Sequence, residues 1–183
     1  MIFVLMPRAE RHSHFLATIR TNCQLYLETT IPSYYTARPV RDVIVLAHQE
    51  ITRTWWEHRL PLFDVYISPV VLEEARQGDP EPARRRLEVL ASFPILEATP
   101  VIESLAATCM TQLALPGKAL RDAAHLAFAC GDELDYLLTW NCAHIANAEI
   151  RRRLMAMNAA IGRQTPIICT PEELMGTEDT DHV

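Results

Sequence analysis

Glycine is scarce, with five residues in 183, so the chain lacks the composition of a long flexible linker. Paired cysteines are missing as well. The five cysteines, at 23, 109, 130, 142 and 169, form no C-x-x-C, which removes the signature of a disulfide framework or a zinc knuckle. Unpaired thiols fit a reducing cytoplasm. No long apolar run opens the chain. Residues 1–6 are apolar, but Arg8, Glu10, Arg11 and His12 follow at once, too soon for a signal peptide or a membrane span. An excess of positive charge is also lacking: the net charge is −6, which argues against simple electrostatic capture of nucleic acid.

The charge that is present is unevenly placed. Residues 172–183 contribute −5 and residues 1–22 contribute +2, leaving −3 on the body. Three grouped carboxylates around a cation would account for that remainder; ordinary scattered surface acids would do so equally well. Hydrophobic residues make up 49% and charged residues 22%, the balance of one soluble domain with a real core.

No repeat or low-complexity segment is visible. Residues 1–22 show no clear period and read as an N-terminal extension or a mis-called start. The first strong element is a strand at 23–28, with Cys23, Leu25 and Leu27 alternating against Tyr26. Thr29-Thr30-Ile31-Pro32-Ser33 then reads as a helix start. A helix is expected over 41–58, a strand over 63–67, and a helix from Ser68-Pro69 that Gly78-Asp79-Pro80 breaks. A further helix follows at 81–92 and a third strand at 95–98. Helices at 100–113 and 117–130, a buried strand at 136–139, a helix near 146–161, a strand at 166–169 and a turn at 171–174 complete the series. Alternating strands and helices imply a parallel sheet with helices on its faces. Sites in such folds lie past the carboxyl ends of the strands.

That rule singles out Glu28 after the first strand, Glu74 in the helix after the second, and Asn141 just past the strand at 136–139. Asp122 sits one turn into the helix preceding that strand. Crowded carboxylates repel one another unless a cation lies between them, so convergence of these four would imply Mg²⁺ or Mn²⁺. Hard oxygen ligands with open positions leave room for phosphate oxygens and water.

With these residues in place, the chain resembles PIN-domain ribonucleases, in particular VapC-like toxins of toxin–antitoxin pairs. Leu25-Tyr26-Leu27-Glu28-Thr29-Thr30 matches the family's opening strand, acid and hydroxyls. Ser68, Glu74 and Gly78 keep the spacing of its second motif. Asp122-Ala123-Ala124-His125-Leu126-Ala127 matches an aspartate opening an alanine-rich helix, and Leu137-Leu138-Thr139-Trp140-Asn141 matches the strand followed by Thr-x-Asp or Thr-x-Asn. The resemblance covers residues 25–174. It implies a PIN-like three-layer sandwich over residues 23–175, with a central parallel sheet of four to five strands, followed by an acidic tail at 176–183. It further implies metal-dependent endonucleolytic cleavage of RNA by activated water, leaving a 3′-hydroxyl and a 5′-phosphate.

By the same resemblance, Glu28 and Asp122 would be the metal ligands, with Glu74 and Asn141 completing the catalytic set. Thr29, Thr30 and Thr139 would support the ligands through their hydroxyls, and His144 and Asn147 would reach substrate phosphate. The implied partners are RNA, a small antitoxin protein and a second copy of the chain, in the cytoplasm and away from membranes. Two departures stand out. The family usually opens with aspartate where this chain has Glu28, and Asn141 brings no charge. They motivate an alternative, a weakly active or inactive PIN-type module that binds RNA or protein.

Plainer roles compete for several of these residues. Glu28 would serve equally as a strand-end cap, and Asp122 as the partner of Lys118 four residues earlier. Glu73 competes with Glu74 for the cleft. His125 fits a satisfied core histidine, and His144 and Asn147 fit loop and cap roles. Arginine triplets at 84–86 and 151–153 suit phosphate or an acidic partner, although a helical triplet is by default a solvated face. Of the adjacent pair Trp55 and Trp56, one would pack and the other would lie at a partner surface.

Overall fold

The computed structural model describes residues 22–176. The expected extension and acidic tail lie outside the described residues, apart from Asn22 and Gly176. Four strands are present: β1 (Cys23–Leu27), β2 (Phe63–Tyr66), β3 (Tyr136–Leu138) and β4 (Ile167–Cys169). All neighbours pair in parallel, in the order β2-β1-β3-β4. Parallel pairing requires crossovers, and helices supply each one. α1 (Thr30–Thr36) and α2 (Val43–His58) link β1 to β2. α3 (Pro69–Ala75), α4 (Pro80–Leu90), α5 (Pro100–Gln112) and α6 (Leu120–Gly131) lead to β3, and α7 (Ala148–Ala160) leads to β4.

The two inner strands carry the core. Leu25, Tyr26 and Leu27 are fully buried although they alternate between faces, as are Leu137 and Leu138. Both faces of the sheet are therefore covered, which gives three layers. Helix starts follow local chemistry. Asp42 accepts from the backbone N–H groups of Ile44 and Val45 at 3.0 and 3.1 Å, and Ser68 and Thr99 cap helices that open on Pro69 and Pro100. Such caps satisfy N–H groups that have no partner within the helix. Gly78 takes φ +85° between α3 and α4, a conformation open to glycine at little steric cost.

One expected strand shrinks. At 95–98 only Ile95 makes a bridge, to Ile67. Ile67 donates its N–H to the Pro94 carbonyl at 3.1 Å, and Leu96 donates to the Ile67 carbonyl at 2.8 Å. Pro94 brings no N–H to extend the ladder, Ile95 is 55% exposed, and the cap of α5 begins at Thr99. The segment has neither the length nor the burial for a full strand. The helix expected to open at 117 begins as a 3₁₀ turn, Gly117–Ala119, before α6. Among the described residues no helix is long and apolar enough to cross a membrane.

Because the strands run the same way, their carboxyl ends share one edge. The register pairs Leu27 with Leu138, and Glu28 donates its N–H to the Leu138 carbonyl at 3.1 Å. The residues just past β1 and β3 are thereby neighbours. Leu137→Ala, in the middle of β3, is expected to lower the unfolding free energy by about 3 kcal/mol. Urea denaturation followed by tryptophan fluorescence measures it; a loss below about 1 kcal/mol would mean that β3 does not anchor the core.

Candidate functional site

Glu28 leaves β1 into the interior and is 4% exposed. Its Oε2 accepts from the Thr30 N–H at 3.0 Å, from the Thr30 hydroxyl, and from the Thr139 hydroxyl at 2.7 Å. Thr139 follows β3, so one carboxylate oxygen joins the ends of both inner strands. The same hydroxyls turn outward as acceptors: Thr30 Oγ1 takes the Trp140 N–H at 2.8 Å, and Thr139 Oγ1 takes the Asn141 N–H at 2.9 Å. The Oε1 atom of Glu28 makes none of these bonds and lies 4.0 Å from His125 Nε2.

Glu74 comes from α3, which the Ser68 cap and Pro69 start immediately after β2. Its Oε2 accepts from the Thr29 hydroxyl at 2.5 Å and from His125 Nε2 at 3.0 Å. Its neighbour Glu73 points away, pairing with exposed Arg121 at 2.8 Å. Burial pushes the Glu74 carboxyl up, but the hydrogen bond and charge of His125, the Thr29 hydroxyl and the Arg121 charge together hold it below its ordinary value.

His125, 1% exposed, is fixed at both ring nitrogens. Nδ1 lies 2.8 Å from the Tyr26 hydroxyl, which lies 2.7 Å from Ser68 Oγ. Ser68 Oγ already accepts from Val71 N–H at the head of α3. A neutral imidazole satisfies every atom in one direction: Ser68 donates to Tyr26, Tyr26 donates to Nδ1, and Nε2–H donates to the Glu74 carboxylate. Burial, reinforced by the charges of Glu28 and Glu74, pushes the Tyr26 phenol well above its usual range, with the Ser68 hydrogen bond opposing.

Asp122 lies in the first turn of α6 and is half-buried. Its Oδ1 accepts from Asn141 Nδ2 at 2.8 Å, while Asn141 Oδ1 accepts from the His144 N–H at 3.1 Å. Burial raises the Asp122 carboxyl above its ordinary value; Glu74 adds to this, while the charges of His144 and His125 and the Asn141 hydrogen bond oppose it. Glu28, Glu74, Asp122 and Asn141 all line one open cleft of about 550 Å³, with Thr29 and Thr30 beside them.

Within that cleft the tightest group is Glu28, Glu74 and His125, each offering a ligand atom within 4.8 Å of the others. Asp122 is outside it, on the same cleft wall as Asn141. Two carboxylate oxygens and one imidazole form a donor set that suits a divalent cation. His144 reaches the network through its backbone, and Asn147 caps α7, accepting from Glu149 and Ile150 N–H; neither is among the lining residues. The arginine triplets are largely engaged within the chain. Arg84 and Arg85 pair with Glu81, Arg86 donates to the carbonyls of Ala75 and Gln77, and Arg153 pairs with Glu149. Trp55 is fully buried; Trp56 stacks on Tyr35 at 4.3 Å.

The hydrogen-bonding roles of Tyr26 and His125 escape a motif-based reading, whereas Ser68 stands in the second motif. Period-2 alternation places Tyr26 on the face of Glu28, and i,i+3 spacing places His125 beside Asp122. Those two rules would have found them. The chain Ser68–Tyr26–His125 generates an alkaline signature. Unfolded Tyr26 loses its proton near pH 10, whereas the folded phenol holds it, so native stability falls as pH rises past about 10. Tyr26→Phe is expected to flatten that fall relative to wild type in urea titrations from pH 8 to 11, and an unchanged slope would count against the buried phenol.

No protein-family model matches the chain, and no curated protein matches it. Eight chains of solved structures do match. One belongs to the crystal structure of VapBC2 from Rickettsia felis bound to a DNA fragment from their promoter; it aligns with a TM-score of 0.52 and 17% identity, over 80% of this chain and 97% of that one. At that identity the likeness is one of architecture: the chain has a PIN-like parallel-sheet α/β fold, shared with a chain of the VapBC2 complex.

Proposed function

We propose that this protein is a metal-dependent endoribonuclease, the toxin of a toxin–antitoxin pair. The observation that carries the reading is convergence. Glu28, Glu74, Asp122 and Asn141 come from four separate segments and meet in one cleft at the carboxyl edge of a parallel sheet. The fold shared with a chain of VapBC2 supports a protein antitoxin as partner. A second copy of the chain is the other proposed partner. The proposed unit is the domain at 23–175, acting in the cytoplasm.

The donor set fits the implied ion. Glu28 Oε1 remains for a cation, and Glu74 and His125 lie beside it. Mg²⁺ and Mn²⁺ both accept carboxylates; His125 would join them, and tip the choice toward Mn²⁺, in the other tautomer, with Nδ1–H donating to Tyr26 and Nε2 free of its proton. When bound, such an ion would neutralise phosphate charge and lower the pKa of a water. The chain's own groups do the rest. Thr30 and Thr139 hold Glu28 in place, and Thr29 holds Glu74. Asn141 aims the Asp122 carboxylate through its amide N–H, and its oxygen is engaged by His144 N–H. Asn141 is thus a positioning residue, and Asp122 faces the cleft as the carboxylate that completes the shell or accepts a proton from attacking water. Exposed Arg121, 4.0 Å from Glu74, stands at the rim, where a guanidinium suits phosphate.

One observation favours the inactive-module alternative. Glu28 Oε2 already takes three protein donors and Glu74 Oε2 takes two, so the cluster is satisfied without a cation. Metal titration separates the readings. Mn²⁺ at about 100 times its dissociation constant is expected to stabilise the native state by about 2.7 kcal/mol, read as a rise in Tm, and to support cleavage of single-stranded RNA that chelator stops. Asp122→Asn is expected to fold as well as wild type, because burial already disfavours the Asp122 charge. Its kcat/KM should fall by about 100-fold or more. Undiminished cleavage by Asp122→Asn would sink the site; a flat Tm with no cleavage would establish the module.

A further inference from the structure

As a site for RNA the cleft lacks positive charge. Glu28, Glu74 and Asp122 bring three acids to it, and one divalent cation offsets two charges. A strand of phosphates lying there needs cations from adjoining surface. A second cavity, of about 690 Å³, adjoins the cleft, since Ser33 and Ala37 line both. One of its walls is the end of α1 and the turn that follows, through Arg38. The other is the first turns of α4, with Arg85 and Arg86.

The charges on these walls are unequally matched. Arg38 is exposed, and its guanidinium makes no hydrogen bond or ion pair among the described residues. Arg84 takes Glu81, with Nε and Nη2 reaching the same carboxylate oxygen at 3.0 and 2.9 Å. Arg85 has a looser contact with that carboxylate, at 3.3 Å, and a surface pair of this kind contributes little. Glu81 is held below its ordinary value first by the Arg84 hydrogen bond, then by the charges of Arg84, Arg85 and Arg38. Arg86 donates to the carbonyls of Ala75 and Gln77 at 3.1 and 2.5 Å and has no carboxylate partner among the described residues. Asp79 adds one further acid. Three guanidiniums against two carboxylates leave this cavity positive in a chain of net charge −6. Pro80 and Pro82 have no N–H, so the head of α4 offers few backbone donors and the guanidiniums carry the positive character.

We propose that this second cavity holds a neighbouring phosphate of the RNA strand, bound by the guanidiniums of Arg38 and Arg85, while the scissile phosphate lies at the acids; the proposal rests on the RNA-cleaving reading. Ser33 and Ala37 form the sill over which the strand passes. A guanidinium fork matches phosphate oxygens and keeps its charge at any working pH. Arg85 loses little by turning from Glu81, which Arg84 continues to hold, and Arg38 has no ion pair to give up. Arg86 stays on its two carbonyls and adds charge without contact. The contact is to the backbone, so it strengthens binding of any sequence and fixes the path of the strand.

A fluorescein-labelled octaribonucleotide of mixed sequence, with Ca²⁺ in place of Mn²⁺, tests this by fluorescence anisotropy between about 50 and 200 mM KCl. Arg38→Gln and Arg85→Gln are each expected to weaken binding about tenfold and to lower the slope of log K against log salt by about 0.7. Arg152→Gln removes an exposed arginine of α7 outside both cavities. It controls for the loss of one charge and should stay within about twofold of wild type. No binding of the octamer, wild-type affinity in variants that keep the wild-type Tm, or an equal loss in Arg152→Gln overturns the subsite. Tighter binding of an octaglutamate peptide than of the RNA assigns the cavity to an acidic protein segment and overturns it too. Cleavage by wild type with Mn²⁺ is measured separately. Cleavage together with undiminished binding by the arginine variants leaves the nuclease standing and removes the subsite; arginine-dependent binding without cleavage does the reverse.

Discussion

Everything at the carboxyl edge of the sheet depends on how the buried carboxyl group of Glu28 is hydrogen-bonded inside the protein. A carboxylate removed from water is strongly disfavoured unless hydrogen-bond donors replace the solvent. Here the donors come from the turn into α1 and from the end of β3, the two segments that the β1–β3 pairing brings together. Each donor hydroxyl then accepts a backbone N–H from the loop beyond β3. The carboxylate is thus the hub of a small polar lattice, and the conformations of Thr30, Thr139, Trp140 and Asn141 follow from it.

The remaining acids are tuned apart. Glu74 is half-buried yet held below its ordinary value by His125, Thr29 and Arg121, so it is a standing negative charge. Asp122 is raised by burial despite two nearby histidines, so its ionised form is the one the protein alone compensates least. Environments that push neighbouring carboxylates in opposite directions mark a division of labour between them.

Much of this was legible before any coordinates. Period-2 patterning around Leu25, the buried run at 136–139 and the Ser68-Pro69 helix start located the inner strands and helices between them. A parallel sheet then followed from alternation, and its carboxyl edge singled out Glu28, Glu74 and Asn141; convergence with Asp122 hung on which strands are neighbours, which alternation does not fix. What pattern rules missed was set by contacts distant in sequence. The bridge at Ile95 is short because Pro94 and the Thr99 cap leave no room. His125 joined the acidic cluster through Tyr26 and Glu74, residues 99 and 51 positions away. Asn141, read as completing the catalytic set, is engaged at both ends by Asp122 and His144.

The lattice around Glu28 also shapes how the protein would look to a geneticist. Glu28, Thr30 and Thr139 are at once candidate chemistry and structural glue, so alleles at these positions would lose protein abundance together with any activity. In a screen for survivors they would fall in one class with core alleles such as those at Leu138. Asp122 is different: its side chain answers to Asn141 alone among the described side-chain donors. Alleles there would leave a full-length, folded and abundant protein, and only they would distinguish a phenotype that comes from the cleft from one that comes from losing the fold.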